Sequence, residues 1–132
     1  MFEVGMMKKQ YRIKNSDEIE TVMKKGFSKA NPFFILYKYQ NPTNHHFRMA
    51  ISAPKKLGNA VVRNKMKRRI RASIQANQKL FHPNCDYFII AREKCLDINF
   101  EAFNQNIIEI CKRVNHPKSN TNKSKQRSFV KK

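Results

Sequence analysis

The sequence predicts a single two-layer α+β domain, in which helices cover one face of a sheet. Three segments place apolar residues at helical spacing, and three shorter segments are rich in residues that favour β-strands. Their order is helix, two strands, helix, strand and helix. A chain of 132 residues is long enough for one domain with a modest core. We expect the domain to span residues 11–114, between a flexible segment at 1–10 and a disordered basic tail at 115–132.

The first predicted helix follows a polar stretch and ends at Gly26. Asn15 or Ser16 caps it, and the acidic residues Asp17 and Glu18 lie in its first turn, where the helix dipole favours negative charge. One apolar face of this helix carries Ile19, Val22 and Met23.

Two strands follow, over residues 33–39 and 47–54. Because only a short turn separates them, we expect them to pair as an antiparallel hairpin. A third strand, over residues 85–93, is almost entirely apolar, which favours a central position in the sheet. The last helix begins at a cap, Asp97 or Asn99. Its apolar residues recur at a spacing of three to four and are Phe100, Phe103, Ile107, Cys111 and Val114.

The second predicted helix lies in a basic segment, residues 55–71, that holds eight Lys or Arg and no acid. Gly58 and Asn59 offer a turn and a cap, so the helix begins near Ala60. On a helical wheel one apolar stripe is formed by Val62, Met66, Ile70 and Ile74. Only Arg63 among the basic residues falls within the arc of that stripe. We therefore expect the helix to dock by one face and to present a rigid basic face.

The net charge is +19, from 28 basic and 9 acidic residues. With 40% hydrophobic residues the chain is not a disordered polycation, and a folded domain with this charge repels itself. A polyanionic partner offsets the repulsion, and nucleic acid is the favoured one. An anionic membrane surface and a merely solvated helix face are the alternatives. We expect neither a membrane span nor a signal peptide.

Cysteine and histidine give no indication of a metal site. The three cysteines, Cys85, Cys95 and Cys111, are odd in number and lack zinc-motif spacing, which favours a cytoplasmic protein. The adjacent pair His45 and His46 is too small a set to bind a metal. No combination of carboxylate, histidine and nucleophile predicts a catalytic site in this chain.

RNA is the favoured nucleic acid. The basic face consists almost entirely of Lys and Arg, which suits contacts with the phosphate backbone and with RNA shape. Side-chain alternation places Phe33, Tyr37 and Tyr39 on one face of the first strand. These aromatic rings either stack on single-stranded bases or belong to an ordinary core.

The segment from Lys55 to Arg71 resembles the signature of the protein subunit of bacterial ribonuclease P. The matching residues are Lys55, Lys56, Gly58, Asn59, Ala60, Val61, Arg63, Asn64, Lys67, Arg68 and Arg71. The match has no gaps, and segments in the first helix, before the basic segment and in the third strand agree with it. The resemblance covers roughly residues 8–114.

This resemblance implies the element order α-β-β-β-α-β-α, similar to the second domain of a small-subunit ribosomal protein, with an unusual left-handed βαβ crossover through the basic helix. It also implies an accessory role. In this family the RNA subunit removes the 5′ leader of precursor tRNA and, with the substrate, holds most of the Mg²⁺. The protein alone is expected to be inactive. The implied partners are ribonuclease P RNA and precursor tRNA, in a heteromeric ribonucleoprotein without a membrane.

The resemblance also implies two binding surfaces. The RNA subunit is expected to contact Lys55, Lys56, Asn59, Arg63, Asn64, Lys67, Arg68 and Arg71. A cleft between the first helix and the sheet is expected to hold the leader and to include Ile19, Met23, Phe33, Tyr37, Arg48 and Arg92. Family members often carry Phe at the positions of Ile19 and Met23 and a basic residue at that of Glu93. These departures predict weaker contact with the leader.

Two other functions are considered beside this one. A structural RNA-binding protein, such as a ribosomal protein of the same fold, explains the charge but does not require the signature. A nuclease that acts without an RNA subunit requires a catalytic set that the sequence does not offer.

Overall fold

The computed structural model describes residues 11–116, so residues 1–10 and 117–132, predicted to be flexible or disordered, lie outside the described part. Its elements are α1 (Ser16–Lys25), β1 (Phe27–Ala30), β2 (Phe34–Gln40), β3 (Arg48–Ser52), α2 (Ala60–Ala76), β4 (Cys85–Ala91) and α3 (Phe100–Asn115). Short 3₁₀ turns lie at Lys55–Leu57, Gln78–Leu80 and Glu93–Asp97. This order is the one that the resemblance implies, and the α+β class is confirmed. Helix α3 extends to Asn115, one residue beyond the predicted end of the domain.

The sheet has four strands in the order β1-β2-β4-β3. Strand β4 pairs antiparallel with β2 and parallel with β3, which confirms its central position. The predicted hairpin of β2 and β3 is wrong, because β4 lies between these strands. The antiparallel hairpin is instead formed by β1 and β2. Strand β3, helix α2 and strand β4 therefore form a parallel βαβ unit, and the left hand of its crossover stays a prediction.

Strand β1 follows from the resemblance but not from the strand-forming residues. It has only four residues, most of them exposed at the edge of the sheet, so it carries little apolar pattern. Gly26 allows the chain to turn tightly from α1 into β1. A Cβ atom at this position would collide with the carbonyl oxygens of Lys38 and Val22.

Helices lie on both faces of the sheet. Helices α2 and α3 contribute to the larger core cluster, which includes Phe34 and Leu36 of β2. Helix α1 packs on the opposite face, where Val22 clusters with Ala50 and Phe88. The prediction that helices cover one sheet face therefore holds for α2 and α3 but not for α1, which forms a further layer.

Each of the three helices begins at an asparagine cap. The side-chain oxygens of Asn15, Asn59 and Asn99 accept hydrogen bonds from backbone N–H groups two or three residues later, at 2.7, 3.1 and 2.9 Å. These bonds satisfy donors that the first turn of a helix leaves without a partner. The caps therefore fall on Asn15 and Asn99 rather than on Ser16 and Asp97.

A buried carboxylate joins α1 to the two parallel strands. Asp86 of β4, only 2% exposed, accepts hydrogen bonds from Nε and Nη2 of Arg48 at 2.9 Å each and from Asn41 and Asn44 at 3.0 and 2.7 Å. Nη2 of Arg48 also lies 3.3 Å from Glu18 of α1. Burial alone raises the pKa of Asp86, but these hydrogen bonds outweigh it and hold the pKa below its ordinary value.

Asp86→Asn is expected to lower the free energy of unfolding by roughly 3 kcal/mol at pH 7, because Arg48 loses its carboxylate partner. Since the folded-state pKa of Asp86 is depressed, its stabilising effect is present above the ordinary pKa of about 4 and is lost as the pH falls through the folded-state value. Urea unfolding at pH 7 and at about pH 3 measures both effects.

The exposed Asp97 offers the matched control, because Asp97→Asn is expected to change stability by no more than about 0.5 kcal/mol. If Asp86→Asn cost as much at pH 3 as at pH 7, the charge of the carboxylate would not be what stabilises the network.

Candidate nucleic-acid interface

A rigid loop carries the first two basic residues of the signature. The 3₁₀ turn Lys55–Leu57 follows β3, and the side chain of Leu57 anchors it in the core with 5% exposure. Gly58 has a φ of 141°, a conformation that glycine adopts without strain. The side chains of Lys55 and Lys56 consequently extend into solvent from a fixed backbone.

Helix α2 docks by the predicted stripe. Met66, Ile70 and Ile74 are buried, with at most 3% exposure. The signature side chains on the outer surface of the helix are exposed or half-buried. They are Asn64 and Arg68, which are exposed, and Lys67 and Arg71, which are half-buried. Burial, and then the charge of Arg12, lower the pKa of Arg71.

The charge of α2 has no acidic counterpart. The sequence contains no Asp or Glu between Glu20 and Asp86. Within residues 11–116 the ion pairs are formed by Lys24, Arg48 and Arg113, and none involves a residue of α2. An exposed helix face usually alternates both signs of charge, so this face is suited to an external polyanion.

Two arginines of α2 hold the helix in place. Nε of Arg63 donates a hydrogen bond to the carbonyl oxygen of Ala53 at 2.8 Å, at the end of β3. The guanidinium of Arg69 lies 5.7 Å from the centre of the Phe103 ring in α3. Arg63, which was expected to contact RNA, therefore has part of its hydrogen-bonding capacity committed within the protein.

A second basic group lies at the same end of the sheet. Lys56, Arg92 and Lys94 line one open groove of about 500 Å³, together with Glu93. Nη1 of Arg92 donates to the carbonyl oxygen of Asn31 at 3.0 Å, which fixes its position. Arg92, assigned by resemblance to the leader cleft, is thus grouped with the basic loop. Lys94 was not predicted, because it lies in an irregular turn where no periodicity marks it.

The cleft between α1 and the sheet is apolar. Ile19 and Tyr37 are half-buried against the cluster of Val22 and Phe88, and the rings of Tyr37 and Phe88 stack with centres 6.0 Å apart. Met23 is 43% exposed at the rim. The structure therefore brings Ile19 and Tyr37 together as predicted, and Met23 lies one turn further along α1 than Ile19. Tyr39 packs as a second half-buried ring against the same cluster.

Two residues expected in this cleft are placed elsewhere. Phe33 precedes β2 and packs against the core cluster on the face of α2 and α3, so the prediction that it shares the face of Tyr37 is wrong. Arg48 is held by Asp86 and Glu18, so its guanidinium is an internal support of α1 rather than a free cationic group. Sequence alternation misplaced Phe33 because the strand begins one residue later, at Phe34.

Neither a metal cluster nor a membrane span is found in residues 11–116. No three side chains of the types His, Cys, Asp or Glu come together there as metal ligands. No helix in this part of the chain is long and apolar enough to cross a membrane.

The four-stranded α+β domain carries, beside its parallel strand pair, a basic helix whose charges have no acidic partners in residues 11–116. This combination is typical of the class of proteins that bind polyanions. Comparison with known proteins narrows the class. The sequence pattern of the Ribonuclease P family matches residues 7–115, and the chain belongs to this family. Its members are protein components of ribonuclease P, the ribonucleoprotein that processes the 5′ end of tRNA and contains ribonuclease P RNA.

Individual relatives agree with this assignment. The Ribonuclease P protein component of Bacillus mycoides is 43% identical over 107 residues, which cover 81% of this chain and 93% of the relative. A Staphylococcus aureus RNase P protein mutant, described as having defective mRNA degradation activity, superposes with a TM-score of 0.76 at 36% identity. That match covers 81% of this chain and 90% of the other. The RNase P protein of Thermotoga maritima, 24% identical, shares the fold with a TM-score of 0.71, covering 78% and 96%.

Asn59→Ala is expected to lower the free energy of unfolding by about 1 kcal/mol, because it removes the cap of α2. Thermal unfolding measures the loss. Asn64→Ala is the matched control, since Asn64 is exposed within the same helix and alanine favours helix there, so stability is expected to stay equal or to rise slightly. Equal losses for both variants would contradict the capping role of Asn59.

Proposed function

We propose that this chain binds ribonuclease P RNA through the basic loop and helix α2, and holds the 5′ leader of precursor tRNA in the cleft between α1 and the sheet. In this role it assists endonucleolytic 5′ maturation of tRNA by the RNA subunit. The observation that carries the proposal is the basic face of α2, which is rigid, exposed and without an acidic partner in residues 11–116.

The arrangement of charges favours contact with phosphates rather than with base edges. Lys55, Lys56, Lys67 and Arg68 extend from fixed backbone on one loop and one helix. Arg and Lys at such positions neutralise phosphates and release counterions, which makes binding strong and dependent on salt. The groove of Lys56, Arg92 and Lys94 extends this surface beyond α2.

The cleft between α1 and the sheet is proposed to hold the leader by its apolar walls and by the ring of Tyr37. Tyr37 offers its exposed part to a base, while Ile19 and Met23 provide apolar contact at the rim. Base stacking on an aromatic side chain contributes about 1–3 kcal/mol. Because only Tyr37 among these three positions carries a ring, the cleft is proposed to bind the leader more weakly than one with rings at all three.

Mg²⁺ is proposed to be bound by the RNA subunit and the substrate. Among residues 11–116 no group of three or more His, Cys, Asp or Glu side chains comes together, whereas the phosphates of the RNA subunit and the substrate supply the oxygen ligands that Mg²⁺ favours. The protein is proposed to act in the cytoplasm, and its own contribution is positive charge and the positioning of the leader.

Reconstitution tests the proposal. The full chain is mixed with a bacterial ribonuclease P RNA at a Mg²⁺ concentration at which the RNA alone is silent, and cleavage of 5′-labelled precursor tRNA is followed. Release of the intact leader only in the mixture is the expected result. Binding without rescue of cleavage would favour a structural RNA-binding protein. RNA cleavage by the protein alone would favour a nuclease that needs no RNA subunit.

Arg68→Ala is expected to weaken binding to ribonuclease P RNA and to reduce the dependence of log K on log salt by roughly 0.7–0.9 for each phosphate that the variant no longer neutralises. Filter binding at several salt concentrations measures both. Lys25→Ala removes an exposed charge from α1, on the other face of the sheet, and is expected to change neither. An unchanged salt slope for Arg68→Ala would contradict the role of α2 as the RNA-binding face.

Tyr37→Ala is expected to weaken binding of precursor tRNA to the reconstituted holoenzyme by about tenfold, with little effect on mature tRNA, because only the precursor has a leader to stack on the ring. Tyr37→Phe keeps the ring and is expected to bind both tRNAs normally. A thermal unfolding curve for each variant controls for removal of the packing between Tyr37 and Phe88. Equal losses for precursor and mature tRNA would remove Tyr37 from the leader cleft.

A further inference from the structure

A second groove, of about 350 Å³, is lined by none of the residues assigned to the two proposed RNA surfaces. It is found at the N-terminal end of β4, whereas the basic loop lies at the C-terminal ends of β3 and β4. Phe27 and Lys38 face each other across the β1–β2 pair and form one wall. The loop of residues 82–84 forms the other wall. Because Lys38 shares its strand face with Leu36, this groove opens on the face of α2 and α3, opposite the leader cleft.

The groove contains a cationic side chain without an anion. Lys38 is only 8% exposed, and its Nζ lies 2.9 Å from Nδ1 of His82. No ion pair of residues 11–116 involves Lys38. Burial lowers the pKa of the Lys38 ammonium, and burial and then the charge of Lys38 lower the pKa of His82. His82 Nδ1 accepts one N–H of the Lys38 ammonium, and an anion beside the pair that accepts a remaining N–H would neutralise the buried cation.

The His82 side of the groove is held in position. The backbone N–H of His82 donates to the hydroxyl of Tyr87 at 2.9 Å, and that hydroxyl donates to Oδ1 of Asn115 at 3.0 Å. Nδ2 of Asn115 donates in turn to the carbonyl oxygen of Leu80 at 2.6 Å. These bonds fix the loop before β4, which carries His82, to the end of α3.

The rest of the groove offers a ring and two amides. Phe27 is 44% exposed, so part of its ring is open to solvent beside the groove. Gln40 and Asn84, which also line the groove, carry amide groups that both donate and accept hydrogen bonds. An aromatic face stacks on bases, and amides pair with base edges.

We propose that this groove binds one nucleotide, with its phosphate against Lys38 and His82 and its base against Phe27. This site goes beyond the proposed function, because it lies on the other sheet face from the leader cleft and at the other end of the sheet from the basic loop. A phosphorylated end of an RNA strand and a free nucleotide share this chemistry.

The test uses the full chain and adenosine 5′-monophosphate as the probe, at about 0.15 M salt to suppress non-specific attraction. Backbone amide resonances are followed by NMR during titration. The expected result is saturable shifts at Phe27, Lys38, His82 and Asn84. Lys38→Met is expected to weaken binding by about tenfold or more, and Phe27→Ala by a smaller factor. Lys14→Met removes an exposed charge and is expected to leave binding unchanged.

The outcomes test the site, the contact of the base with Phe27 and the source of the nucleotide separately. Shifts confined to the residues of α2, or equal binding by wild type and Lys38→Met, would overturn the site. Inorganic phosphate that binds as tightly as the nucleotide would overturn the contact of the base with Phe27. A 5′-phosphorylated tetranucleotide that binds more tightly than the mononucleotide identifies an RNA end as the source, and equal affinity identifies a free nucleotide. The exposed position of Phe27 keeps its variant informative if Lys38→Met fails to fold.

Discussion

The parallel pairing of β3 with β4 is the constraint on which the rest of the structure depends. It requires the chain to cross from one end of the sheet to the other through α2, and it brings the carboxyl ends of both strands to the same end of the sheet. Lys56, which follows β3, and Lys94, which follows β4, therefore meet in one groove although they are far apart in sequence. An antiparallel pair would have placed these lysines at opposite ends.

The two faces of the sheet support different surfaces of the domain. The larger core cluster beneath α2 and α3 supports the basic helix, so that mutually repelling charges are held on a well-packed element. The smaller cluster beneath α1 leaves an apolar cleft with Tyr37 in it. The ion pairs of Arg48 with Asp86 and Glu18 fasten α1 over that cleft, and so connect the position of the cleft wall to the same strands that position the basic loop.

Local signals in the sequence predicted the elements better than their arrangement. The asparagine caps and the stripe of Met66 and Ile70 are properties of single helices, and each agrees with the structure. The β2–β3 hairpin was wrong because strand order depends on the partner that a distant segment supplies, here β4. The resemblance assigned Arg48 to a binding surface, whereas the buried carboxylate that holds it lies thirty-eight residues away in the sequence. Lys38 gave no signal, since a lysine inside an apolar strand resembles any solvent-facing residue in alternation.

The absence of acidic residues from Thr21 to Cys85 has a consequence for how the protein responds to its ionic surroundings. Dissolved ions screen the repulsion among like charges, so moderate concentrations of electrolyte favour the folded chain when it is alone. The same ions compete with the chain for phosphates and so favour dissociation of a ribonucleoprotein. Added salt thus stabilises the free folded protein but weakens its complex with RNA. Assembly with a polyanion relieves a repulsion that electrolyte only partly screens.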